Sequence, residues 1–452
     1  HRHLHTAYRR QRQMCIRDTA TSFSLKNMLS VKKILPLLRK PSLFRTMVVM
    51  GFFLMFVQVN RVGGGVLASE LSSSYSLSPT VIGVVIGSMF FAAALVQVPV
   101  GLMLDAFGAR RTLVGLSLVA VSGMILISVA SGASGLIIGR ILVGIGHGAS
   151  ITGIYLLAVA WTSPERVSTV AALTIAVGGA LGGILGTAPL AMSLEILCLG
   201  DTFILLAGAS LFSSFLIWKL IEDRKSSPDK SNVSEGLAGS FVGYWEVIRD
   251  RNLWPIFAMG LCFSFPFATM GGLWVGPFLQ DLHKLTSVEA GGIILVMAFC
   301  VNIGTFLYGP LDRVFNSRKW IVLSGVMVMI VSLLTLSAMP MASLTLVTVL
   351  LSLFSIASPI FVTLAGHARG YVHETRSGRV LATVNFLGVG FIFVVQFITG
   401  SLFELLLTLG YSTEIIYRIL FLVVAIFVFF GCIAYSFSRD VPPDAMDSKS
   451  KV

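Results

Sequence analysis

Apolar residues run along this chain in blocks of about 20, the length of helix that crosses a hydrocarbon core. Polar residues gather in the short stretches between the blocks. The pattern predicts helical spans near 45–68, 81–104, 112–131, 135–158, 168–191 and 201–220, then near 253–279, 289–310, 320–338, 343–365, 380–403 and 416–437. The polar, Ser- and charge-rich run from Glu222 to Gly236 reads as a linker between the two sets. The expected organisation is a tail over 1–43, a six-helix bundle over 44–221, a linker over 222–252, a second bundle over 253–438 and a tail over 439–452. No extramembrane stretch is long enough for a soluble catalytic domain, so any solute site must be made of helices.

Composition agrees. Of 452 residues, 55% are hydrophobic and 12% charged, and the mean hydropathy is +0.88. A soluble domain of this size carries about twice that share of charge. The formal charge of +12 reports orientation rather than a polyanionic partner. All 33 Lys and Arg except Arg61, Arg140, Lys284 and Arg418 fall in the tails, the linker or the even-to-odd loops. That asymmetry is the positive-inside pattern, and it predicts a multi-pass protein of a plasma or bacterial inner membrane with both termini in the cytoplasm. No nucleic-acid partner is expected. The five cysteines are scattered without a metal-ligand spacing, so neither a metal nor another cofactor is expected. Residues 1–18 lack the apolar core of a signal peptide and read as foreign to the rest, with a native start expected at Met28.

The two halves echo each other. Leu77-Ser-Pro-Thr-Val-Ile-Gly83 opens the second span and Leu285-Thr-Ser-Val-Glu-Ala-Gly291 the eighth. Asp105 and Asp312 close the same two spans, and Arg166 and Arg379 precede the fifth and eleventh. The members of each pair lie roughly 210 residues apart, and a like-oriented repeat of six helices is a known transporter architecture. After the second span stands Gly101-Leu-Met-Leu-Asp105-Ala-Phe-Gly108-Ala-Arg110-Arg111. It resembles motif A of the major facilitator superfamily. A degraded copy, Tyr308-Gly-Pro-Leu-Asp312-Arg313-Val-Phe-Asn-Ser-Arg318-Lys319, follows the eighth span. Gly101 allows close helix approach and Gly108 a tight turn. Asp105 can accept from a helix N-terminus of the other half. In the family this constellation latches the cytoplasmic gate. Leu136, Arg140, Gly144 and Gly146 resemble the family's motif B, with Val143 and His147 departing from its usual residues. Gly178, Gly182 and Gly186 form a packing stripe in place of the drug-antiporter motif C. The resemblance implies an all-α membrane fold of twelve helices in two six-helix bundles related by pseudo-twofold symmetry.

A charge at a helix centre costs at least about 2.5–3.5 kcal/mol, so it usually serves a cavity. Arg61 and Arg140 qualify, and no mid-helix carboxylate neutralises them, since Glu70, Glu195 and Glu404 lie near helix ends. Such a cavity favours an anion. Asn60-Arg61 and the following PTVIGVVIGSMFFAAALVQVPVG are similar to the start of anion:cation symporters and organophosphate carriers, where a first-helix Arg binds the substrate. Met270 stands near the place of the phosphate-ester exchangers' second arginine. Bland roles for Arg61 are snorkelling or pairing with Glu70. Substrate-binding candidates are Arg61, Asn60, Gln58, Gln97, Tyr155, Trp274, Asn302, Asn385 and Gln396. Arg140 and His147, seven residues apart on nearly one helix face, are coupling candidates. The gate candidates are Gly101, Asp105, Gly108, Arg110, Arg111, Asp312 and Arg313. The expected function is a monomeric secondary carrier of a small organic anion, coupled to a proton or ion. An exporter of drugs or metabolites and a non-transporting sensor on the same fold are the alternatives. No metalloprotease, Ser-Lys or paired-Asp constellation suggests an enzyme.

Overall fold

The computed structural model describes residues 41–222, 245–372 and 374–443. The expected tails and linker therefore lie largely outside the described residues, as does the side chain of Asp105. Residues 49–452 form one compact unit. Of the preceding unit, 1–48, the opening turns of the first helix are described, where the Thr46 hydroxyl donates to the Ser42 carbonyl at 2.9 Å.

Among the described residues, eleven helices are long and apolar enough to cross a membrane, and a bent pair taken as one span makes a twelfth. The architecture is the expected all-α arrangement of two six-helix bundles. Outward-facing positions are apolar, with Val129, Ile196, Phe306 and Phe437 among the most exposed side chains. A soluble surface would not tolerate so many, and a lipid-facing one requires them.

Helix starts follow their local chemistry. Pro79 and Pro164 occupy first-turn positions, where a missing N–H costs nothing. Thr286 and Glu289 form a reciprocal capping box at the head of Ser287–Val314.

Several expected straight spans are broken. The fifth bends by 40° between Thr169–Leu185 and Ala188–Ile196, because Thr187 leaves helical geometry and Pro189 lacks the N–H that would bridge the gap. The seventh, Arg251–His283, passes through a π turn at Met270–Trp274. The tenth, Leu344–Gly370, is kinked at Pro359. The first runs on as Gly64–Tyr75, past the apolar block from which its end was expected at 68.

Spans from the two halves meet tightly at the end opposite the Gly101–Arg111 turn. There Gly64 and Gly65 of the first span face Gly272 and Gly271 of the seventh so closely that a Cβ would come within 2.3 and 2.6 Å of their carbonyl oxygens. Gly83 of Pro79–Phe107 meets the Gln396 carbonyl of Glu374–Thr408 in the same way, and Gly291 rests on Ala188 and Ala191. At the motif end, Gly101, Gly309 and Gly378 have no described atom within 4 Å of where a Cβ would stand. The halves are thus in close backbone contact at one end, the sealed end, and the described glycines of the motif end make no such contact.

Candidate functional site

The first and fourth spans bring the strongest candidates together beneath the sealed end. Arg61 sits in the last turn of Pro41–Val62, half-buried, with its carbonyl beside Gly272. It forms no ion pair among the described residues. Glu70, a possible partner by sequence, instead accepts from the Ser74 hydroxyl. Arg140, in Ala133–His147, is only 2% exposed. Its Nη1 donates to the Asn60 carbonyl at 3.3 Å, while Nε and Nη2 have no partner. The Asn60 side chain is equally buried and donates to the Phe56 carbonyl at 3.0 Å, leaving its Oδ1 unpaired.

His147 lies one helix face along from Arg140, within electrostatic reach of both arginines. Its ring meets Phe53 edge-on at 6.3 Å, and its Nδ1 is also unpaired. The position follows from motif-B glycines. Gly144 lets the fourth span lie directly on the Met89 backbone of the second, and Gly146 on Ala120 of the third. A small cavity of about 10 Å³ adjoins Arg140, walled by Leu67, Ile86, Leu136 and Phe203 among others. Two guanidiniums, an imidazole and an amide oxygen thus gather with no carboxylate among them in the described residues. Buried donors with no acceptor are costly, and an anion would satisfy them.

The other candidates divide. Asn302 and Asn385 are half-buried in the eighth and eleventh spans, and Asn302 donates to the Ala298 carbonyl of its own helix at 2.8 Å. Gln97 is half-buried in the second span, and Tyr155 is exposed in the fourth. Gln58 faces the fifth span, where a Cβ on Gly182 would press its side chain at 2.6 Å. Trp274 is only 4% exposed, gives its indole N–H to Thr399 Oγ1 at 3.0 Å and stacks flat on Phe403 at 5.0 Å. Gln396 is fully buried, donates to the Ala268 carbonyl at 3.0 Å and abuts Gly87 of the second span. Trp274 thus bridges the seventh and eleventh spans, and Gln396 does so through its amide nitrogen alone, its Oε1 having no hydrogen-bond partner among the described residues.

At the motif end, Gly108 adopts φ +80°, a left-handed turn that suits glycine. The Arg110 guanidinium lies 4.3 Å over the Trp218 ring of the sixth span, and Arg111 is exposed. Gly101, expected at a close approach, faces open space here. In the degraded copy, Asp312 pairs with Arg318 at 3.3 Å, whereas Arg313 is exposed. Sequence reasoning missed Asp440, which accepts from the Arg318 and Lys319 amides at 3.2 and 3.1 Å and from the Ser317 hydroxyl at 2.5 Å. It also passed over Gln280 of the seventh span, which donates to Ser69 of the first at 2.8 Å. Neither contact has a local sequence signal, because the partners lie more than a hundred residues apart.

The sequence matches the family description "Major Facilitator Superfamily" over residues 47–395. No curated protein matches it. Among solved structures, the chain is similar to a mutant of the nucleoside transporter NupG, with TM-score 0.70, 12% identity and 87% and 98% of the two chains covered. It is similar to a bacterial homolog of the human lysosomal transporter Spinster in an inward-facing and occupied conformation, with TM-score 0.66, 16% identity and 88% and 97% covered. It is also similar to a D-xylose-proton symporter, with TM-score 0.65, 15% identity and 85% and 97% covered. At such identities the likeness speaks for the fold alone. With most of its length inside the family match and its helices in the family's arrangement, the chain belongs to the Major Facilitator Superfamily of secondary membrane transporters.

Proposed function

We propose that this transporter carries a small organic anion by alternating access, with Arg61 as the group that grips it. The observation behind this reading is the lack of any carboxylate around Arg61 and Arg140 within the described residues, together with the orphaned donors on Arg140. A guanidinium binds a carboxylate through paired, charge-assisted hydrogen bonds. Arg61 is the more accessible of the two, and the seventh span offers Met270 rather than a second arginine. One accessible guanidinium suits a carboxylate better than a phosphate dianion. Asn60, Gln97, Asn302 and Asn385 would supply neutral polar contacts.

Arg140 and His147 sit behind Arg61 and would carry the coupling step. In the proton-coupled form of this reading, His147 takes a proton when the anion neutralises the arginines and releases it when the anion leaves. In this reading the bundles span 44–221 and 253–438, and the positive-inside pattern puts the motif end on the cytoplasmic side. Motif A would form its latch through Asp105 when the cavity turns outward.

The test is a thermal-shift panel of carboxylates and phosphate esters on the purified protein, followed by uptake of any stabilising compound into proteoliposomes. A stabilising carboxylate should lose its effect in Arg61→Ala, and uptake should fall at least tenfold. Uptake with an unchanged KM in Arg61→Ala would remove Arg61 from the site. Stabilisation by uncharged solutes alone would remove the anion.

A further inference from the structure

The sealed end carries a polar contact that the motif-end signature does not cover. Pro79–Phe107 begins at Ser78, yet the Ser78 side chain makes no capping hydrogen bond to its own helix. The exposed amides of such a first turn need an acceptor. It comes from the other half of the molecule: Glu404, near the end of Glu374–Thr408, accepts from the Thr80 backbone N–H at 3.2 Å. The Ser78 and Thr80 side chains also stand close to this carboxylate. One helical turn earlier, Gly400 lets the eleventh span lie on the same first turn, where a Cβ would reach the Pro79 carbonyl at 2.6 Å. The glycine brings the backbones together and the glutamate closes the contact.

The internal repeat provides a comparison within one molecule. The counterpart of the second span is the eighth, and the counterpart of Glu404 is Glu195, roughly 210 residues earlier at the end of the bent fifth span. The fifth and eighth spans also touch, with Gly291 on Ala188 and Ala191. Here the eighth span caps itself, since the Thr286 hydroxyl accepts from Glu289 N and the Glu289 carboxylate accepts from Thr286 N at 2.8 Å. Glu195 is exposed and makes no hydrogen bond among the described residues. Of two corners related by the repeat, one is capped from within its own helix and the other across the halves.

We infer that Glu404 is a latch for the sealed end: its carboxylate caps the second span from the opposite half and so favours the state in which that end is shut. The chemistry is that of an anion at a helix N-terminus, where aligned peptide dipoles and free N–H groups both favour negative charge. Parting the halves leaves the Thr80 amide without this acceptor, so the cap acts on the equilibrium between states rather than on one helix alone. The latch holds whichever solution this end faces, and it does not depend on the nature of the solute.

Hydrogen–deuterium exchange on the intact protein in nanodiscs tests it without any ligand. In Glu404→Gln and Glu404→Ala, exchange should speed about 2- to 30-fold, the effect of losing one cap. It should do so across all the sealing segments together: 64–71, 78–87, 271–283 and 396–404. Thr80→Pro removes the donor N–H at a first-turn position that accepts proline and should give the same pattern. If the Glu404 variants do not fold, Thr80→Pro carries the test alone. The double variant should add little to either single one, because both delete one contact. Glu195→Gln should leave the profile unchanged. Faster exchange confined to 78–84 would reduce Glu404 to a local cap, and an unchanged profile would abolish the latch. An equal effect from Glu195→Gln would show that charge at that face, rather than the cap, sets the equilibrium.

Discussion

Arg140 holds a positive charge at 2% exposure with one hydrogen bond, to a backbone carbonyl. A folding optimum would not keep it. Replacing a buried, imperfectly paired ion by an apolar side chain of similar size is often neutral or stabilising by about 1–4 kcal/mol. Arg140→Met should therefore leave the Tm of the purified protein unchanged or raised while abolishing coupled uptake. A clear drop in Tm would make Arg140 a structural tie between the first and fourth spans. The sequence showed this charge, its distance from His147 and the lack of mid-helix acids. It could not show that the Asn60 carbonyl is the partner, since a helix kept straight at that point would have used it internally. Nor could it show that Trp274 bonds Thr399 and stacks on Phe403, or that Gln396 gives its amide to Ala268 while its Oε1 stays unpaired among the described residues.

The helices themselves were legible because lipid imposes both length and hydropathy on a span. Their breaks were less so. Pro189 and Pro359 are visible in the sequence, but whether a proline bends a helix depends on which neighbours satisfy the freed carbonyls. The π turn at Met270–Trp274 has no composition of its own; it places Gly271 and Gly272 against the first span. The paired glycines make a sharp prediction. A Cβ at Gly276 would sit 2.2 Å from the Gly65 carbonyl oxygen, and backbone cannot step aside as a flexible side chain can. Gly276→Ala should destabilise the sealed end by about 1–3 kcal/mol, the usual range for overpacking. Exchange over 64–71 and 271–283 should rise accordingly. Gly292→Ala, with nothing within 4 Å, is the control. Equal exchange in the two variants would mean that the first and seventh spans are not held at backbone contact.

At the scale of the whole molecule, charge asymmetry and helix packing bear on different questions, and a labelling experiment can ask both. The positive-inside pattern predicts that the motif end lies in the cytoplasm, while the glycine contacts bring the halves together at the opposite end and leave Gly101 without a close neighbour among the described residues. Cys198 is exposed at the start of the sixth span, on the sealed side, and serves as a native reporter there. A variant carrying Gly101→Cys and Cys15→Ser adds a reporter at the motif end. With a membrane-impermeant maleimide, right-side-out vesicles should label Cys198 and spare position 101, and inside-out vesicles should do the reverse. Exchanged labelling would invert the orientation and leave the fold untouched. Protection of position 101 in both preparations would mean that the motif end is closed to solvent. A stabilising anion that turns the cavity should slow labelling at 101 while leaving Cys198 unchanged, because only the motif-end reporter lies where the halves would come together. That selective slowing links the anion held at Arg61 to the movement of the two bundles, and an anion that binds without producing it would be a ligand of the site but no substrate of the carrier.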